Sequence, residues 1–140
     1  MKQSLCRLLV AGFVLVFATA LTAGTLENQG KAWLDAQKDP AAINVDGTWI
    51  SEEFGDLHLS QDTGSRDVRG VGGGYGLTGV VSGKSLYLLF TSGRTVEYCA
   101  ILNSGSGNSL AGTYSNRLSR LRFGAGLCQG KSRPMYMSKK

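Results

Sequence analysis

The chain has 140 residues, 42% of them hydrophobic, and carries a formal net charge of +5. That length suits one domain, and that apolar content excludes a mostly disordered chain. Gly supplies 20 residues without a three-residue period and Pro only 2, which excludes collagen and points to short strands and tight turns; the single His removes most histidine chemistry in advance.

Residues 1–20 read as a secretory signal peptide. Lys2 and Arg7 form a positive start, and no acid appears before Glu27. The apolar run over 8–21 has 14 residues, short of the ~20 needed to span a bilayer. Ala18-Thr19-Ala20 fits the small-x-small cleavage rule, with Ala23 as an alternative cut. The product is expected to be exported, to the periplasm or beyond, and not to span the membrane. Cleavage lowers the net charge from +5 to +3 and removes Cys6, leaving Cys99 and Cys128. Two cysteines in an exported chain, without a CxxC, read as one structural disulfide. Closing a loop of about 30 residues stabilises by about 3 kcal/mol in the chain-entropy picture.

Residues 21–45 read as a helix and linker, the helix over 25–38. Thr25 can cap it, Lys38 stands near its C-terminal end, and Pro40 ends the segment. Trp33 and Leu34 fall on one face and suit docking on an apolar patch. Gly30 should weaken the helix by about 1 kcal/mol.

From Asp46 the grammar changes, and residues 46–140 read as a β-barrel domain. Short β-rich runs are predicted at 47–52, 57–61, 67–71, 75–81, 85–91, 95–102, 110–115, 120–128 and 134–138, separated by clusters of Gly, Ser, Asn and Asp. No connection has room for a βαβ crossover. The expected class is all-β: an antiparallel up-and-down meander closing into a barrel of about eight strands.

Alternation assigns faces. Leu57 and Leu59 point one way, His58 and Ser60 the other. Val96, Tyr98, Ala100 and Leu102 share one face; Glu97, Cys99 and Ile101 share the other. Residues 86–90, LYLLF, are apolar on both faces, whereas an antiparallel sheet normally wets one. The helix, or a second subunit in a dimer, should cover the outer one.

Several motifs resolve as structure. Residues 78–85 (TGVVSGKS) approach a phosphate-binding loop, but Thr78 replaces its first Gly and a strand follows, so Gly83-Lys84 reads as a hairpin turn. Residues 70–76 (GVGGGYG) suit a turn, a bulge or a loop at a barrel mouth; Gly72, Gly73, Gly74 and Tyr75 are the candidate mouth of a pocket. His58 reads as a surface residue, because Ser60 and Asp62 on the same strand cannot complete a triad. No spacing suggests a metal or cofactor.

Charge is segregated. Residues 21–83 hold 9 acids and 4 bases, residues 84–140 hold 9 bases and 1 acid. Arg117, Arg120 and Arg122 form a candidate patch for an anionic partner such as envelope lipid, polysaccharide or an acidic protein, or simply a solvated face. Nucleic acid is not expected, given export and no stacking platform.

Gly47-Thr48-Trp49 opens the first strand just after the helix. This resembles the G-x-W start of the calycin superfamily, which includes lipocalins and avidins. The resemblance implies that Trp49 plugs the closed end of an up-and-down barrel and that 133–139 is a closing strand paired back to the first. The nearest likeness is to small Gly-rich barrels exported by bacteria. In size and start the chain also resembles the periplasmic barrel that inhibits bacterial metalloproteases, where the segment before the barrel enters the protease cleft; residues 21–45 would play that part.

The expected function is a non-enzymatic exported binding protein, with Trp49, Tyr98 and Tyr114 inside as pocket wall or core. Its partner would be a small ligand or an envelope protein. The alternative is a protein-interaction module, such as a periplasmic protease inhibitor.

Overall fold

The computed structural model describes residues 26–115 and 132–140. The signal segment, Thr25, Cys128, the run predicted at 120–128, and Arg117, Arg120 and Arg122 lie outside the described residues.

One helix, α1 (Leu26–Asp35), precedes eight strands: β1 (Gly47–Ser51), β2 (Gly55–Ser60), β3 (Asp67–Gly72), β4 (Tyr75–Ser82), β5 (Ser85–Ser92), β6 (Thr95–Ser104), β7 (Ser109–Ser115) and β8 (Ser132–Lys139). Each strand pairs antiparallel with the next, and β8 returns to β1, closing the barrel. The hairpins are tight because Gly sits where positive φ is required. Gly73 and Gly74 (φ 60° and 84°) turn β3 into β4, Gly83 turns β4 into β5, and Gly93 turns β5 into β6. The Gly83-Lys84 motif is thus a turn, not a phosphate cradle.

Inward positions are apolar. Trp49, Leu57, Leu59, Val68, Leu77, Val81, Leu86, Leu88, Phe90, Leu102, Leu110, Met135 and Met137 form one buried cluster. Each fully buried leucine contributes about 2 kcal/mol relative to exposure. Several inward glycines are there for closeness, not for a hollow. A Cβ at Gly70 or Gly112 would land on the carbonyl oxygen of His58 or Ile101, and one at Gly79 would stand 2.5 Å from Tyr87 O. These positions let neighbouring strands approach and coil into a narrow barrel.

A bulge corrects one face assignment. Phe90 pairs with Tyr98 but Thr91 pairs with Val96, so Glu97 is an extra residue on β6. Tyr98 and Ala100 therefore face inward, while Val96 faces outward beside Cys99.

The outer face of β5 is covered by α1. Trp33 and Leu34 pack on Val80, Leu89, Val96 and Cys99, with Trp33 edge-on to Tyr87 at 5.5 Å. Gly30 has a use beyond its cost in helix propensity. A Cβ there would stand 2.8 Å from Leu89 Cδ1, so its absence lets the helix lie close on the sheet.

Candidate functional site

The barrel has two ends, and they differ. The first holds the start of β1, the β2–β3 and β4–β5 connections and the C-terminus. Residues 39–45 cross it. Gly83 N donates to Pro40 O at 3.0 Å, Ala42 N donates to Gly83 O at 2.8 Å, and Ser82 Oγ accepts from Asp39 N at 3.0 Å. Gln61, 6% exposed, fastens this crossing from inside. Its Oε1 accepts from Val45 N at 2.8 Å, and its Nε2 donates to Ser65 O at 2.9 Å and Ile43 O at 3.4 Å. Trp49 lies beneath, its indole N–H donating to Val45 O at 2.8 Å, with Lys139 Nζ 5.8 Å from its ring centroid. Trp49 thus plugs a sealed end.

At the other end stand the β1–β2, β3–β4 and β5–β6 turns and the strand ends Ser115 and Ser132. Here an aromatic group gathers: Phe54, Tyr75, Phe90, Tyr98 and Tyr114. Phe54 is its centre. Its ring stacks on Phe90 at 4.3 Å and meets Tyr114, Tyr98 and Tyr75 edge-on at 5.2, 5.3 and 6.1 Å. Edge-to-face contact matches the positive ring edge to the negative ring face.

Local sequence aims Phe54 inward. The buried Ser51 hydroxyl donates to Glu53 Oε2 at 2.9 Å and accepts from the Glu53 and Phe54 backbone N–H groups, each at 3.3 Å. Gly55 takes positive φ (72°) just after. Gly73 completes the seat, since a Cβ there would stand 2.7 Å from Phe54 O. Gly72 is as tightly placed: a Cβ there would stand 2.5 Å from Leu57 Cδ2 and from Asp56 O. The 70–76 run therefore forms a tight hairpin against Phe54.

Tyr75, Tyr98 and Tyr114 are partly buried and ring this plug. The Tyr75 hydroxyl titrates above its usual range. The main cause is its hydrogen bond with the Tyr98 side chain, helped by burial and by the charges of ionised Tyr98 and Glu97. The end thus presents ring surface and phenolic hydroxyls together.

Tyr98, Tyr114 and the 72–75 hairpin converge here, whereas Trp49 serves the opposite end. Phe54 escaped the sequence reading, although an apolar residue inside the acidic turn Glu52-Glu53-Phe54-Gly55 is a signal. Gln61 gave none. His58 is exposed on β2, its Nδ1 3.0 Å from Thr48 Oγ1. Among the described residues, no group of three or more His, Cys, Asp or Glu side chains is placed to hold a metal ion. Nor, among them, is any helix long and apolar enough to cross a membrane.

Comparison with protein-family models, curated proteins and solved structures finds no match to this chain.

Proposed function

We propose that this chain is an exported, non-enzymatic binding protein with a calycin-like barrel, and that it contacts its partner through the tyrosine-ringed end. The observation that carries this is the ring of Tyr75, Tyr98 and Tyr114 around Phe54, beside the buried apolar cluster of the interior. Tyrosine presents large, rigid area with a polar tip, the combination that concentrates binding energy at protein interfaces. The buried apolar cluster faces the interior, and the accessible ring surface gathers at this end, which favours a protein partner. Residues 33–45 are held on the barrel by Trp33 and by the crossing at the sealed end. Gly30 also lies close on the sheet, so an arm that enters a partner's cleft must come from before Gly30.

Export rests on the composition of residues 1–20, and the Cys99–Cys128 disulfide belongs with it. Cys99 is buried on β6 opposite Ser115, where β7 ends and the chain leads on toward Cys128. Purified oxidised protein should show no free thiol from either cysteine, and labelling of both would remove the disulfide from this reading.

Site-specific photo-crosslinking in intact cells tests the function. A benzophenone amino acid at position 114 should give a discrete protein adduct, and one at exposed Tyr136 on the outer wall should not. An adduct of small-molecule mass at 114 would favour the enclosed-ligand reading. Equal labelling at both positions, or none, would defeat the assignment of this end.

A further inference from the structure

A second surface lies away from the tyrosine-ringed end. Between α1 and the outer wall of the barrel runs a groove of about 960 Å³, lined by residues of α1 and β3 to β6 and by the turns beside them. Its floor is apolar: Leu34, Val80, Leu89 and Val96 are 4–8% exposed. Its rim is basic. Lys31, Arg66, Arg69 and Arg94 line it against two acids, Asp35 and Asp67. Thr78 and Thr91 also line it, the Thr91 hydroxyl donating to Gly76 O at 3.2 Å.

The rim cations are available. Among the described residues the one ion pair is Lys140 with Asp56, outside the groove. Lys31, Arg69 and Arg94 make neither an ion pair nor a side-chain hydrogen bond there. Arg66 is engaged at one nitrogen, its Nη2 donating to Gln37 O, while its Nε finds no acceptor. An excess of unpaired cations over an apolar floor recruits a ligand that is both acidic and apolar.

The chain's own undescribed segments do not meet that demand. Residues 1–25 and 116–131 carry Lys2, Arg7, Arg117, Arg120, Arg122 and Lys131 and no acid at all. The occupant is therefore another molecule. Shape narrows it further. From β3 to β6 there are three inter-strand steps, about 14 Å at the usual strand spacing, which an extended peptide covers with about four residues. In an extended peptide successive side chains alternate sides. Apolar residues can then enter the floor while carboxylates rise to Lys31, Arg69 and Arg94.

We propose that this groove binds an extended acidic peptide segment of a partner protein, with alternating apolar and carboxylate side chains. The claim is independent of the role given to the tyrosine-ringed end.

Fluorescence anisotropy with a labelled hexapeptide alternating Val and Glu tests it on the full mature chain. Binding should saturate. Arg69→Glu with Arg94→Glu should weaken it at least tenfold, while Lys84→Glu, an exposed cation outside the groove, should leave it within twofold. Both targeted arginines are exposed, and circular dichroism confirms that the variant folds. Leu89→Asn makes the floor polar where α1 also packs; with the helix retained by circular dichroism, it should weaken the Val–Glu peptide but not an all-Glu hexapeptide. The proposal is overturned if no saturable binding occurs, if Lys84→Glu weakens binding as much as the double variant, or if the all-Glu peptide binds equally tightly. It is also overturned if anionic phosphatidylglycerol vesicles, but not the peptide, depend on Arg69 and Arg94.

Discussion

Phe54 and Phe90 lie nearly parallel, ring centroids 4.3 Å apart and planes inclined at 26°, and this stack closes one end of the barrel. Phe90 comes from strand β5, Phe54 from the turn between β1 and β2. The turn thus supplies a lid of core material that no strand could place there. Phe54→Ala should cost about 2 kcal/mol in urea unfolding, less than a fully enclosed phenylalanine, because the ring is only partly buried. The same variant should bind a hydrophobic dye that the parent does not, read by fluorescence. Unchanged stability would show that the stack is incidental.

Gly112→Ala should destabilise by about 3 kcal/mol or more, because the new methyl meets the Ile101 carbonyl and a strand must move. Gly105→Ala is the control. Its Cβ would meet only Ser109 Oγ, at 3.3 Å, and a side-chain shift relieves that. Its effect should stay within about 0.5 kcal/mol. Thermal melts of both variants decide between close approach and mere turn composition as the reason for glycine.

Gln61→Leu preserves volume but leaves the Val45 N–H and the Ser65 and Ile43 carbonyls without their partner. Unsatisfied buried groups cost about 1–3 kcal/mol each, so a loss of about 3 kcal/mol is expected. Gln37→Leu removes a single partly buried bond to Trp33 O and should cost under about 1 kcal/mol. Urea unfolding of the two variants gives the comparison.

Tyr75 carries a pH signature. Its folded pKa lies above the unfolded value of 10.0, so the neutral phenol is the form the fold prefers. That contribution is complete below the unfolded value and is lost as pH rises through the folded one. Tyrosinate absorbance should show one group titrating late, and Tyr98→Phe should move it back toward 10.0 by removing the hydrogen bond. An unchanged titration in Tyr98→Phe would assign the shift to burial instead.

Period-2 alternation made the barrel legible. It marked Leu57 and Leu59 as inward, and the doubly apolar run 86–90 asked for the cover that α1 provides. It failed at Glu97, since a bulge inserts one residue without any compositional mark and flips Val96 from its neighbours' face. The sealed end was half legible. The Gly47-Thr48-Trp49 start anticipated Trp49 as a plug, but Gln61 depends on contacts with residues 43–46, far from it in sequence. The tyrosine-ringed end was readable in its tyrosines and not in Phe54, because a turn residue's direction is set by hydrogen bonds to Ser51 rather than by periodicity.

The join between β8 and β1 is short. Met137, Ser138 and Lys139 pair with β1, and Lys140 N donates to Thr48 O at 2.9 Å beyond them, while β8 pairs with β7 along 132–138. Among the described residues, 132–136 therefore run on with one backbone edge free of β1. Such an edge is where another chain's strand could be templated and aggregation begin. Arg133 and Pro134 occupy that stretch. A strand adding there would meet a guanidinium and a residue with no N–H to give. The short seam carries its own guard against polymerisation.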